Sequence, residues 1–215
     1  MRFHNKYYYE KLAQLTLTSI LSFSQDTLVL SDKPDLQDYS HNIGVEVVQD
    51  TYPNERQLKS FWIKYEQNTT IDSIPKKQID GYIKRGGKLK IENRILRGGS
   101  LGPQTPNNLV HLVDTIKKKQ QRLNSGGYQL FETNALFVIV ETVSPLFDSY
   151  VDSIIQSVNI IEYDYNFDYL FLYCHYELIL CDLSKQTHSR FPISKEVRER
   201  IEDSSYRYSE DLANK

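Results

Sequence analysis

The sequence predicts a three-layer α/β fold with a mixed central sheet flanked by helices. Three observations carry that expectation. Stretches of helical period alternate with short β-branched or apolar runs along the 215 residues. One run, Ala135-Leu136-Phe137-Val138-Ile139-Val140, is apolar throughout, as a central strand covered on both faces must be. The composition is 40% hydrophobic and 25% charged, the ordinary balance of a globular chain. A single domain over residues 1–215 with an insertion at about 68–106 accommodates this length.

The elements follow in order. Residues 5–23 read as a helix, with Tyr8, Leu12, Leu15 and Ser19 on one face and Leu17, Ile20 and Leu21 broadening it. Thr27–Leu30 is a short strand, and Ser31-Asp32-Lys33-Pro34 is turn chemistry. Asp35–Asp38 begins a second strand. Tyr39–Asn42 then leads into the β-branched run Ile43-Gly44-Val45-Glu46-Val47-Val48. Strand alternation puts Ile43, Val45 and Val47 on one face, and Gly44, Glu46 and Val48 on the other. A helix over 55–66, opened by Asn54 as its cap, turns Leu58, Phe61, Trp62 and Tyr65 inward. Residues 68–106 are the least regular stretch, with a strand or hairpin over 88–96. A helix capped by Asn107 or Asn108 runs to Leu123, and Asn124-Ser125-Gly126-Gly127 stops it. After the 135–140 strand come a helix over 145–158, strands over 167–173 and 177–181 joined by Cys174-His175-Tyr176, and a charged helix over 194–204 with a fraying end.

Charge and cysteine content restrict function. The net charge of −2 gives no global basic field, so any contact with nucleic acid must be a local patch. That patch lies between Lys76 and Arg97, where eight Lys and Arg stand against Asp80 and Glu92 alone. Lys84, Arg85, Lys88, Lys90, Arg94 and Arg97, interleaved with glycine pairs, suit a phosphate backbone approached by cations and main-chain amides together. A solvated loop accounts for the same residues equally well. The Gly-Lys-Ser/Thr ending of a P-loop is absent. Cys174 and Cys181 match no zinc or redox spacing, and two buried free thiols fit a reducing cytoplasm. No apolar signal segment opens the chain and no apolar run is long enough to span a bilayer, so no membrane partner is expected.

The residues of most interest are Asp35 and Glu46. A carboxylate inside an apolar strand is costly to bury unless it is paired, protonated or bound to a metal. Asp35, at the start of the neighbouring strand, can meet Glu46 across the hairpin, and two acidic groups with water and phosphate oxygens are enough to hold magnesium. A turn-capping role for Asp35 is the plain alternative. Glu10, early on the first helix, is either a solvated group favoured by the helix dipole or a third acid.

Pro34-Asp35, a short gap and then a hydrophobic strand carrying Glu46 resemble the PD-(D/E)XK nuclease superfamily, which includes restriction enzymes and many phage and repair nucleases. The resemblance implies a restriction-endonuclease-like fold, hydrolysis of nucleic-acid phosphodiesters (DNA ahead of RNA), and magnesium, or manganese in its place, on Asp35 and Glu46. It also implies an acidic role for Glu10, since members often carry an acid on the helix before the motif. The superfamily lysine is missing: Val48 stands two residues after Glu46. Some members supply it from a neighbouring helix, which makes Lys59 or one of Lys117, Lys118 and Lys119 its replacement. Lys117 and Lys118 also extend the candidate nucleic-acid surface. The rival reading is a catalytically degenerate binding protein on the same scaffold, of the kind phages and mobile elements use in defence or counter-defence, with nucleic acid, a protein or a second copy as partner. A third is an interaction protein in which Glu46 forms a buried ion pair with a lysine.

Overall fold

The computed structural model describes residues 4–65, 68–100, 109–160 and 163–213, which divide into two compact units. The larger takes residues 6–50 and 107–215, and the smaller takes residues 1–5 and 51–106.

The larger unit is built on a seven-stranded mixed sheet. Helix α1 (Lys6–Ile20) precedes β1 (Val29–Leu30), β2 (Leu36–Asp38) and β3 (Ile43–Asp50). After the smaller unit come α4 (Leu109–Asn124), β6 (Thr133–Val140), α5 (Asp148–Asn159), β7 (Tyr169–Tyr173), β8 (Glu177–Asp182), β9 (Thr187–Pro192) and α6 (Lys195–Ala213). The strand order is β1-β2-β3-β6-β7-β8-β9. The inner strands β3, β6 and β7 run parallel, and the outer pairs are antiparallel.

Both sheet faces are covered, and β6 records this in its sequence. Ala135, Phe137 and Ile139 point to one apolar core with α1 residues Leu12, Ala13 and Leu17 and with Ile201 of α6. Leu136, Val138 and Val140 point to the other, with Leu112 and Ile116 of α4 and Val151, Ile154 and Ile155 of α5. The layers are therefore α1/α6, sheet and α4/α5, as the pattern of the chain predicts.

In the larger unit one strand escapes the sequence reading and one helix outruns it. Strand β9 is polar and largely exposed, because it pairs on one side only and forms the sheet edge. Helix α6 continues to Ala213 rather than fraying after residue 204. Ile201, Ser205 and Ser209 form its buried stripe, and small residues there carry no apolar signal. Helix α5 begins at Asp148, three residues after Pro145. Both cysteines are free, and burial pushes each thiol up to about 12.

The smaller unit contains α2 (Pro53–Lys64), a 3-10 turn (Ile71–Ser73), α3 (Lys76–Lys84) and the hairpin β4 (Lys88–Glu92) with β5 (Ile95–Ser100). Its core is Leu58, Phe61, Tyr65, Ile74, Tyr82 and Leu96. Trp62 Nε1 donates to the Tyr82 hydroxyl at 2.7 Å, and the Phe61 and Tyr82 rings stand 4.5 Å apart. Helix α3 hides from sequence reading because Gly81 interrupts it and Tyr82 is its one buried residue. Gly87 is required, because a Cβ there would run into the Tyr82 ring. The proposed caps Asn107 and Asn108, the end of the 55–66 helix at Glu66, and residues 101–106 of the insertion lie outside the described residues. Among the described residues no helix is long and apolar enough to cross a membrane.

The β2–β3 turn is fixed by Asp38. Its carboxylate accepts from Thr27 Oγ1 at 2.6 Å, Ser40 Oγ at 2.6 Å and the amides of Ser40 and His41 at 3.1 Å, and it contacts His41 Nδ1 at 2.9 Å. Burial would raise this carboxyl, but the bonds from Ser40, Thr27 and His41 outweigh it and hold the group well below the usual range. A carboxyl depressed in the fold contributes stability above its unfolded value of about 4, and that stability drains away as pH falls toward the folded value. Asp38→Ala is expected to cost about 3 kcal/mol at pH 7, and urea denaturation should find a smaller gap from wild type at pH 3.

Candidate functional site

Asp35 immediately precedes β2, one residue before Leu36, which pairs with Val45 of β3. That register brings it beside Glu46. Asp35 Oδ2 accepts the Val47 amide at 2.8 Å, and both carboxylates are about 6% exposed. Gly44 makes the approach possible. A Cβ at that position would meet Phe131 at 2.5 Å and Pro34 at 2.8 Å, so a larger residue would push away the proline that carries Asp35. The turn is also pinned by the Gln129 amide, which donates to the Lys33 carbonyl at 2.9 Å.

Glu46 points to the α4/α5 side, the face opposite Val45 and Val47. There it meets Lys119, whose Nζ lies 2.5 Å from Oε1. Helical spacing explains the contact. Lys119 is three residues after Ile116 and four before Leu123, so it sits on the buried stripe of α4. Lys118 on the same run is exposed and Lys117 half-buried. This stripe is the signal that separates Lys119 from its neighbours. Lys59, the other candidate for the missing lysine, belongs to α2 of the smaller unit.

The electrostatics of the site are set first by burial. Burial raises the Glu46 carboxyl, Asp35 adds to this, and Lys119 and Tyr128 oppose it. The Tyr128 hydroxyl is raised by burial and by Glu46. A cavity of about 10 Å³ lined by Pro34, Gly44, Glu46, Tyr128 and Asn134 has room for one water. Glu10, on α1, is also about 6% exposed, and burial with Asp35 nearby raises its carboxyl to about 7 despite the opposing pull of Lys6. Lys6 Nζ stands 3.1 Å from Glu10 Oε1, 3.5 Å from Asp35 Oδ1 and 3.7 Å from Asp32 Oδ1.

Among the described residues no group of three or more His, Cys, Asp or Glu is arranged to hold a metal. The donor chemistry nonetheless fits a hard cation. The β2–β3 register sets Asp35 and Glu46 opposite each other on neighbouring strands, and each stands beside a lysine, Lys6 and Lys119. Magnesium needs one or two carboxylates and completes its shell with water and phosphate.

The expected nucleic-acid residues fall in two places. Lys117 and Lys118 lie on α4. Lys84, Arg85, Lys88, Lys90, Arg94 and Arg97 are all exposed on α3 and the β4–β5 hairpin of the smaller unit. Part of that charge is already matched. Arg94 pairs with Asp72 at 2.7 Å and Lys90 with Glu92 at 3.1 Å, while Arg97 donates to Asn68 Oδ1 at 2.5 Å. A second polar cluster, which the sequence does not signal, closes the carboxyl end of β3. Asp50, fully buried, contacts His111 Nδ1 at 2.7 Å and accepts from the Thr142 hydroxyl. Nearby, Gln49 Nε2 donates to Tyr9 at 2.8 Å and to Glu141 at 2.6 Å.

Removing one partner of a buried pair strands the other charge. Lys119→Met is expected to cost about 3–5 kcal/mol at pH 8. Adding Glu46→Gln to the same chain should restore most of it. Additive costs in urea denaturation would mean the two groups are energetically independent.

Comparison with protein-family models, with curated proteins and with solved structures found no match to the chain, so the functional reading rests on the geometry of this site.

Proposed function

We propose that the larger unit is a metal-dependent nuclease core of the restriction-endonuclease-like kind, with Asp35 and Glu46 as its cation ligands and Lys119 in place of the lysine that Val48 lacks. The observation that carries this reading is the convergence of three side chains from separate elements. Asp35 comes from the β2 turn, Glu46 from mid-β3 and Lys119 from the buried stripe of α4. The succession α1-β1-β2-β3-α4-β6, antiparallel as far as β3 and parallel between β3 and β6, supports it as well.

Asp35 and Glu46 would hold the ion, with the Val47 carbonyl as a further oxygen. A bound magnesium supplies a Lewis acid for the phosphate and a water of lowered pKa. The chain's own residues do the rest. The Val47 amide holds Asp35 in one orientation through a 2.8 Å bond. Lys119 neutralises Glu46 at rest, and its ammonium is positioned to offset charge that develops on a phosphate brought against the two carboxylates. The exposed basic hairpin of the smaller unit offers phosphate contacts independent of base sequence.

One observation favours the two rival readings, a degenerate nuclease-like binding protein or an interaction protein with a buried Glu46–lysine pair. The carboxylates are already answered by internal cations, Lys119 on Glu46 and Lys6 near Asp35. The discriminating assay is cleavage of mixed DNA and RNA with magnesium or manganese. Wild type is expected to cleave. Asp35→Ala and Glu46→Ala should abolish the activity, and Lys119→Met should lower kcat about 100-fold or more. Salt-sensitive binding without cleavage, lost when Lys88, Lys90 and Arg97 are replaced but not with the carboxylate variants, would favour the degenerate scaffold.

A further inference from the structure

We propose that the smaller unit is a docking module for duplex nucleic acid, held through phosphates by Lys84, Arg85, Lys88, Lys90 and Arg97, with Glu92 as the internal acid that the phosphates displace. The proposal is independent of the metal-site reading and holds whether or not the larger unit cleaves.

Charge is divided unevenly along the chain. Residues 51–106 carry eleven Lys and Arg against five Asp and Glu, a net +6, and the remaining residues carry −8. Positive potential is thus concentrated in one compact unit of an acidic chain. The hairpin displays that charge on one face. Leu89 packs on the core of the unit, so strand alternation turns Lys88 and Lys90 away from it. Gly98, the partner of Lys90 across the hairpin, puts no side chain beside it. A register shift after Lys90 leaves Arg97 as the extra residue of β5. Lys90 Nζ and Arg97 Nε stand 3.1 and 3.9 Å from the two oxygens of Glu92. Two exposed cations therefore converge on one anionic group, a place that a phosphate can take over. Lys84 and Arg85 close α3, and only Gly86 and Gly87 separate them from Lys88. Among the described residues no carboxylate pairs with Lys84, Arg85 or Lys88.

The form of the partner follows from what the face offers. The rings of Phe61, Trp62, Tyr65 and Tyr82 pack against one another inside the unit. They are not set out as the platforms on which unpaired bases stack. The face offers charge, and a duplex presents one phosphate charge per about 1.7 Å of its axis, about twice the density of a single strand. Contacts of this kind fix position without reading sequence.

The test is fluorescence anisotropy of the full chain with short labelled DNA duplexes of two unrelated sequences and with one of their single strands. It is run at several salt concentrations with all divalent metal chelated. The expected result is equal affinity for the two duplexes, weaker binding of the single strand, and affinity that falls as salt rises. Lys88→Gln with Lys90→Gln should weaken duplex binding about tenfold and make the logarithmic salt slope shallower by about 2. Glu92→Gln should tighten binding severalfold. Lys195→Gln with Arg200→Gln, the same charge change on α6, should leave affinity unchanged, as should Asp35→Ala, whose effect on cleavage is a separate question. A single strand bound as tightly as the duplex, equal weakening by the α6 pair, or no salt-sensitive binding would overturn the proposal. Unchanged or weaker binding in Glu92→Gln would overturn the displacement. Salt-sensitive self-association in sedimentation, lost with Lys88 and Lys90 and unaccompanied by duplex binding, would assign the face to the acidic unit of a second copy and overturn it as well.

Discussion

The burial of Glu46 in an apolar strand is the constraint on which the rest of the site depends. A carboxylate in that position must be answered, and the surrounding elements supply the answer. Lys119 occupies a place on α4 that apolar spacing would give to leucine. Asp35 turns inward beside it, held by the Val47 amide. Gly44 gives up its side chain so that Pro34 and Phe131 can close over the turn. Each of these choices is unfavourable for stability taken alone. A well-packed apolar residue at position 46 would remove the need for the lysine and the second carboxylate. Conflict between local preference and global fold, concentrated at one place, is expected at functional or strained sites.

The charge around this position is arranged asymmetrically. On the α4/α5 side, a buried lysine meets Glu46 at short range. On the α1 side, an exposed lysine meets a looser set of acids. Burial raises both Glu10 and Glu46 above the usual carboxyl range, which means that neither lysine fully offsets the loss of water. The polar cluster of Asp50, His111 and Thr142, at the far end of β3, is different. There the carboxylate is fully enclosed and well matched, as expected of a group that fastens α4 and the end of β6 to β3.

Much of this is legible in the sequence because burial leaves periodic traces. The run from Ala135 to Val140 marks a central strand, and alternation in the Ile43–Val48 run is enough to assign Glu46 and Val48 to one face. The pairing of Asp35 with Glu46 follows from a hairpin. Other features leave weaker traces. β9 is an edge strand whose polar residues satisfy water, so no apolar alternation marks it. α3 packs through Tyr82 with little else, and Ser205 and Ser209 of α6 bury small side chains that read as polar. In the run Lys117-Lys118-Lys119 the charge is uniform, and only the spacing to Ile116 and Leu123 separates the inward lysine from the others. Lys6 lies beyond the reach of pattern, since its meeting with Asp35 depends on how α1 lies against the β2 turn.

The most direct test of the metal site is a crystal structure of the chain with manganese, read by anomalous scattering. The expected result is a single strong peak between the carboxylates of Asp35 and Glu46, with Lys119 still beside Glu46. A map with no peak at these carboxylates would contradict it.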